Sequence, residues 1–189
     1  MSQRKPKAFI DRLLRSTAPT LPRASNPRDV LQAVCTTLSP QLDRPIRLKF
    51  VEFPVGMDVS GITLAKDDEY IVVVERNAPP KHQFVIAGHE YGHCYYRTLN
   101  VHYPGSLPTA ARRLLDQADD DIPWDEVIAM ATRSADALDP AAEWEAEQVG
   151  LHLASKFPKL VGPQAGRDPL AQQTLSDRLS SSLGPLGGL

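Results

Sequence analysis

Two of the five histidines in this 189-residue chain lie four positions apart in the stretch VIAGHEYGHCYY, residues 85–96. On a helix, residues i and i+4 lie one above the other, so His89 and His93 can present both imidazoles to one metal ion. Glu90 projects about 100° around the same helix, beside such an ion. H-E-x-x-H on a helix supplies two zinc ligands and a general base for hydrolysis. The spacing therefore predicts zinc chemistry in which Glu90 is the base.

An ordinary helix with two satisfied core histidines is the alternative interpretation of this stretch. Gly88 and Gly92 argue against it, because each costs a helix about 1 kcal/mol relative to alanine, and two within one turn indicate close packing. The apolar run at residues 84–87 implies burial, and buried histidines need polar partners. A metal ion would provide them.

A catalytic zinc ion takes three protein ligands and a water, so a third ligand must come from elsewhere. The best source is PAAEWEAEQVGLHLA, residues 140–154, in which Glu143 and Glu147 share one helical face and Glu145 points away. Small residues on that face would let this helix approach Gly92 closely. They are Ala146, Gly150 and Ala154. The alternative, an alanine-rich amphipathic helix with an acidic outer face, would bury larger apolar residues.

A structural zinc site is a competing interpretation, and it would need a fourth protein ligand, normally cysteine or histidine. Cys94 follows His93 directly and faces about 100° away, which is poor geometry for joint ligation. Cys35 lies on a distant predicted helix and stays a candidate. Two cysteines are too few for a disulfide framework, and a reducing compartment would keep both as free thiols.

Hydrophobic patterning predicts the elements that position these residues. NPRDVLQAVCTTL predicts a helix capped by Asn26, with Pro27 at its first position. Three strands are predicted from alternating or β-branched runs. They are IRLKFVEF, DVSGITLA and EYIVVVE, which begin at residues 46, 58 and 69. The turn-like KDDE at 66–69 predicts an antiparallel hairpin between the last two. Helical segments are predicted after the histidine motif at 109–117, 123–137 and 140–156.

The charge balance limits the classes of partner. A formal net charge of −2 offers no overall attraction for nucleic acid or an anionic membrane. No stretch approaches the roughly 20 apolar residues that a membrane span needs, and the basic start lacks the apolar core of a signal peptide. We therefore expect a cytoplasmic protein without direct nucleic-acid or membrane partners.

Taken together, the two motifs resemble the ImmA/IrrE family of zinc metallopeptidases, whose sequences show H-E-[aliphatic or aromatic]-G-H and later E-x-E-A-[N/D]-x-F-A. The matching stretches here are HEYGH and EWEAEQVG, and the resemblance covers roughly residues 27–157. By that resemblance, His89 and His93 are zinc ligands. Glu90 is then the catalytic base and Glu143 the third ligand. Manganese or iron are alternatives to zinc.

The patterning and the resemblance together imply a fold and a domain organisation. The fold is α+β: a small antiparallel or mixed three-stranded sheet packed on a zincin-like active-site helix, with additional C-terminal helices. A chain of this length, 42% hydrophobic, can bury one sizeable core. We expect a flexible lead-in at 1–25, with a short helical candidate at Phe9–Leu14, and a metallopeptidase domain at 26–160. A loosely ordered tail follows at 161–189, where an i+4 apolar repeat is typical of a short amphipathic helix.

The resemblance also implies a protein substrate. Family members with known roles cleave a helix-turn-helix repressor, usually encoded next door, and so release stress, phage or mobile-element genes. This chain has Glu147 where the family has Asn or Asp, so Glu147 is the candidate for the hydrogen bond that supports a metal ligand. The stretch 94–142 is longer than is usual, and it is either a specificity element or a cover over the cleft.

The resulting hypothesis is a zinc-dependent endopeptidase in which Glu90 takes a proton from water and passes it to the leaving amine. A hydrogen-bond donor should stand near the developing oxyanion. The candidates are Tyr91, Tyr95, Tyr96, His102 and Tyr103. The alternative is a non-catalytic regulatory module of this fold that binds a partner repressor or toxin without cleaving it. The sequence indicates no oligomeric state.

Overall fold

The elements follow the predicted order, and the short helical candidate at Phe9–Leu14 is part of a longer first helix. The computed structural model describes residues 6–22, 25–55, 60–65, 68–97 and 140–161. Its helices are α1 Pro6–Thr17, α2 Pro27–Leu38, α3 Pro80–Tyr96, α4 Pro140–Ser155 and α5 Phe157–Val161. Its strands are β1 Ile46–Val51, β2 Gly61–Ala65 and β3 Tyr70–Glu75. Two 3-10 turns, Ala18–Thr20 and Ser39–Gln41, extend α1 and α2.

The three strands form one mixed sheet in the order β1-β3-β2. β1 is parallel to β3, and β2 is antiparallel to β3, which confirms the predicted hairpin. β3 lies in the middle, and all its residues except Glu75 are buried. This burial explains why its apolar run is continuous and does not alternate. The α+β class with a small three-stranded sheet is therefore confirmed.

Helix α2 begins as its sequence predicts. The Asn26 side chain accepts a hydrogen bond from the backbone N–H of Asp29 at 3.0 Å, and Pro27 occupies the first turn. This cap satisfies one of the backbone donors that a helix start leaves without a partner. The apolar face of α2 is buried and packs on β1 and α3. Its members are Val30, Leu31, Val34, Cys35 and Leu38.

Helix α1 corrects the expectation of a flexible lead-in at 1–25. Its apolar face belongs to the main core, through Phe9, Ile10, Leu13 and Leu14. Burying a large apolar side chain stabilises a fold by about 1.5–3 kcal/mol. Burial of these four side chains therefore holds α1 on the core, although the proline-rich stretch that follows it resembles a linker. Polar contacts add to this, since Asp11 accepts from Lys156 Nζ at 3.0 Å. The folded domain therefore starts before residue 26.

Helices α3 and α4 pack closely because small residues face each other. A methyl group on Gly92 would lie 2.8 Å from the Cα of Ala146, and one on Gly88 would lie 2.8 Å from the Cα of Gly150. A methyl group on Gly150 would meet the backbone oxygen of Val85 even more closely. These positions have room for backbone only. The close approach brings the first turn of α4 beside the histidines of α3.

This packing predicts the effect of Gly150→Ala. Alanine favours a helix by about 1 kcal/mol over glycine, but overpacking against an immobile backbone typically costs 1–3 kcal/mol and occasionally more. We therefore expect a net loss of about 1–2 kcal/mol, measured as a lower urea midpoint. Leu151→Ala, one position further on an exposed face, is the control and should change stability by less than about 0.5 kcal/mol. Equal stability of both variants would contradict the helix contact.

Several predicted segments lie outside the described residues. These are the helices at 109–117 and 123–137, nearly all of the 94–142 stretch, and the tail beyond Val161. The last predicted helix is seen as α4, which ends at Ser155, and Pro158 lies in the first turn of the short helix α5. No helix in the described part of the chain is long and apolar enough to cross a membrane.

Candidate metal centre

The two motif histidines lie side by side on α3. His89 and His93 are one helical turn apart, and their Nε2 atoms are 3.0 Å from each other. The His93 side chain is almost fully buried, whereas that of His89 is 29% exposed. Burial, and secondly the neighbouring His89, lower the pKa of His93 from 6.5 to about 4. The His93 ring is therefore neutral at pH 7, which is the form that binds a metal.

Glu143 completes the group from the first turn of α4. Its Oε2 lies 3.5 Å from the Nε2 of His89, and its Oε1 lies 3.3 Å from the Nε2 of His93. The candidate ligand atoms of these three residues all lie within 4.8 Å of one another. The structure thus brings together the three residues that the sequence predicted, although Glu143 is 50 positions after His93 in the chain.

The separations fit a metal ion. Zinc–nitrogen and zinc–oxygen bonds of about 2.0–2.2 Å in a tetrahedron place neighbouring ligand atoms about 3.3–3.6 Å apart. The observed separations of 3.0, 3.3 and 3.5 Å are close to that. Glu143 Oε1 is buried and has no hydrogen-bond partner among the described residues, which is costly unless a cation faces it. These three side chains could therefore hold a metal ion.

Glu90 lies beside this group, not in it. Its side chain is buried, and the Thr63 hydroxyl of β2 donates a hydrogen bond to its Oε2 at 2.5 Å. Burial raises the pKa of Glu90, although nearby His89 and the Thr63 hydrogen bond act against this shift. A buried carboxyl group with a raised pKa, next to a metal-binding group, is suited to exchanging protons near neutral pH.

Strand β2 supplies two residues that the sequence analysis missed. Thr63 holds one carboxylate oxygen of Glu90, and Gly61 leaves room for the other, because a methyl group on Gly61 would lie 2.9 Å from Glu90 Oε1. A glycine within a β-branched run is a signal of close approach by another group. That signal marks Gly61, but nothing in the sequence pairs Thr63 with a residue 27 positions away.

Three of the tyrosines that were candidate hydrogen-bond donors to the oxyanion pack in the core or on its surface. The Tyr91 hydroxyl is buried and donates to the backbone oxygen of Leu31 at 3.1 Å. Tyr95 stacks on Phe9 with ring centroids 3.8 Å apart, and Tyr96 is also buried in the core. None of these three tyrosines lines the cavity at the metal-binding group. The other two candidates, His102 and Tyr103, lie outside the described residues.

The two cysteines do not join the group. Cys35 and Cys94 are both buried free thiols. Burial raises the pKa of Cys35 to about 11 and that of Cys94 well above its usual value, so both stay protonated at neutral pH. Within the described residues, the metal-binding group therefore has no cysteine as a fourth ligand. The structural zinc alternative would therefore need a fourth ligand other than these two cysteines.

Glu147 lies on the wall of a cavity of about 510 Å³ next to the metal-binding group. The cavity is lined by His89, Pro140, Glu143, Trp144 and Glu147. Glu147 is exposed, and in the described part of the chain it forms no hydrogen bond with either ligand histidine. The expected hydrogen bond from Glu147 to a metal ligand is therefore not formed in this structure. The Glu147 side chain instead lies at the open, solvent-exposed part of the cavity wall.

No family model, curated protein or solved structure matches the chain. The fold and the site thus rest on this chain's own geometry: an α+β domain in which two histidines and a glutamate could bind a metal ion.

Proposed function

We propose that this protein is a zinc-dependent endopeptidase of the kind that its two motifs resemble, and that its substrate is a helix-turn-helix repressor. One observation carries the proposal: the candidate ligands His89, His93 and Glu143 converge, while a buried Glu90 lies beside them without joining them. A purely structural metal site has no use for such a separate carboxyl group. The candidate metal-binding group is accessible from solvent, because the side chain of His89 is 29% exposed and that of Glu143 is 40% exposed.

The roles of the protein's own residues follow from their contacts. When bound, zinc supplies a Lewis acid for the scissile carbonyl and for the attacking water. Glu90 takes the proton of that water and passes it to the leaving amine. Because Thr63 occupies Oε2 of Glu90, Oε1 is the oxygen that accepts and delivers the proton. The glycine at position 61 keeps this oxygen uncrowded.

The edge of the sheet supports binding of an extended peptide. In the described part of the chain, β2 is an edge strand that pairs only with β3, and no described strand occupies its other edge. A peptide that adds to such an edge forms main-chain hydrogen bonds, which requires a flexible segment. Since Thr63 of β2 contacts Glu90, a peptide on β2 would lie next to the proposed base.

The second candidate is a binding module that retains the fold but does not cleave its partner. It is favoured by two exposed apolar side chains on α4, Trp144 at 57% and Leu151 at 48%. Exposed apolar residues of this kind are common at protein interfaces.

Co-expression with the product of the neighbouring reading frame separates the two candidates. A peptidase should yield a shortened partner, and a metal chelator added to the purified proteins should stop the shortening. A binding module should yield an intact partner that co-purifies with the chain. An intact partner in the presence of stoichiometric zinc would overturn the proposed activity toward that partner.

The pH dependence of cleavage tests the contact between Thr63 and Glu90. The base must be ionised, so activity falls as the pH drops through the pKa of Glu90. The Thr63 hydrogen bond lowers that pKa, so Thr63→Val should raise it and move the acid limb of kcat/KM to higher pH. Thr63→Ser keeps a hydroxyl and should restore the wild-type profile. An unmoved acid limb in Thr63→Val would show that this contact does not tune the base.

A further inference from the structure

One face of α4 forms a wall that begins at the metal-binding group. Pro140, Trp144 and Glu147 are spaced by four and three residues, so their side chains are neighbours on the helix surface. All three line the same cavity as His89 and Glu143. A ligand bound at the metal would therefore extend along this wall.

Trp144 is placed unusually for its type. Its side chain is 57% exposed, although a tryptophan normally buries most of its large apolar ring. In the described part of the chain, its ring stacks on no other aromatic ring. An indole face open to a cavity is a good surface for an alkyl chain, and it is the strongest cation–π partner among the side chains.

The charges on the wall are acidic. Within the described residues, the cavity lining contains the carboxylates of Glu143 and Glu147 and neither lysine nor arginine. A divalent ion would balance Glu143 together with the buried Glu90. The charge of Glu147 would then have no counterion among the described residues of the cavity lining, where it lies beside Trp144. Such an arrangement attracts a cation.

We propose that Trp144 and Glu147 form a subsite for a lysine or arginine side chain next to the scissile bond. The inference rests on the proposed function, and it adds a preference for basic residues at the cleavage site. The alkyl stem of the substrate residue lies on the Trp144 ring and Pro140, and its charged end reaches the Glu147 carboxylate. Long basic side chains combine these two contacts, because their stems are apolar and only their ends are charged.

Binding measurements with metal-directed peptides test this subsite without requiring turnover. The probes are three short peptide hydroxamates that differ only in the residue next to the hydroxamate: arginine, norleucine or glutamate. Their dissociation constants are measured by calorimetry on the zinc-loaded full-length chain. We expect the arginine peptide to bind about tenfold tighter than the norleucine peptide, the sum of a modest ion pair and a cation–π contact. The glutamate peptide should bind most weakly.

Two variants test whether Glu147 and Trp144 cause the preference for the arginine peptide. Glu147→Gln should bring the arginine and norleucine constants to within about threefold of each other, since the ion pair is lost and only the cation–π contact separates them. Trp144→Ala should weaken binding of both peptides. Val55→Ala removes an exposed apolar side chain outside the cavity, and it should leave all three constants unchanged.

The outcomes separate this inference from the proposed function. Equal wild-type binding of the arginine and norleucine peptides, an undiminished preference for arginine in Glu147→Gln, or no measurable binding of any probe would each overturn the subsite. A chain that cleaves its repressor but shows one of these results keeps the proposed function. A chain that shows the preference but leaves the repressor intact keeps the subsite and loses the peptidase activity.

Discussion

Replacing Glu90 with glutamine is expected to abolish hydrolysis and leave the bound metal in place. Glutamine has nearly the shape of glutamate and can still accept the hydrogen bond from Thr63, but its amide cannot take a proton from water. Loss of a general base typically costs about 10²–10⁴-fold in rate. Because Glu90 lies outside the group of candidate ligands, metal binding should be unchanged.

Stability gives a second readout for the same variant. Burial raises the pKa of Glu90, which means that the folded state disfavours the charged form. This unfavourable contribution is present above the raised pKa and disappears as the pH falls below the ordinary value for glutamate. Glutamine removes the charge at every pH. The thermal midpoint of Glu90→Gln at neutral pH should therefore equal or exceed that of the wild type.

Zinc content by mass spectrometry, beside a repressor-cleavage assay, checks the prediction for Glu90. Glu145→Gln makes the same chemical change on α4 away from the cavity lining, and it should retain both zinc and activity. An active Glu90→Gln protein would remove Glu90 from the role of base. A variant that loses its zinc would instead place Glu90 among the ligands.

Local spacing made the core of the site predictable. His89 and His93 are neighbours on any helix, and the small residues that allow α3 and α4 to touch are visible as glycines and alanines in the sequence. Gly92 faces Ala146 in the structure, as the spacing around Glu143 predicts. The α+β class followed in the same way, because the β-branched run of β3 and the turn before it encode a hairpin.

Contacts that depend on tertiary packing were not predictable. The proline-rich stretch after α1 has the composition of a linker, and only the contact of Phe9 and Ile10 with the core makes α1 part of the domain. The pairing of Thr63 with Glu90 depends on how the sheet sits across α3, which no periodicity in either segment records. The solvent-facing position of Glu147 depends on the rotation of α4 by a fraction of a turn, and spacing from Glu143 alone does not determine it.

Removing any one of the three candidate ligands is expected to release the metal. Glu143→Ala removes the one carboxylate among the three candidate ligands, and His93→Ala removes the most buried of the three. Even a residue that only supports a ligand typically changes metal affinity by 10–100-fold, so losing a ligand should cost more than that.

Competition with a chromophoric chelator measures this loss of affinity as a shift of the zinc dissociation constant. Glu147→Ala is the matched control for Glu143→Ala, since it removes a carboxylate one turn away on the same helix and the same cavity wall. It should change zinc affinity by less than about tenfold, because Glu147 forms no hydrogen bond with either ligand histidine in the described part of the chain, whereas residues that do support a ligand typically change the affinity by about 10–100-fold. Far-ultraviolet circular dichroism verifies that each variant is folded. If Glu143→Ala keeps wild-type affinity while Glu147→Ala loses it, the carboxylate ligand is Glu147, and α4 must be rotated relative to the arrangement described above.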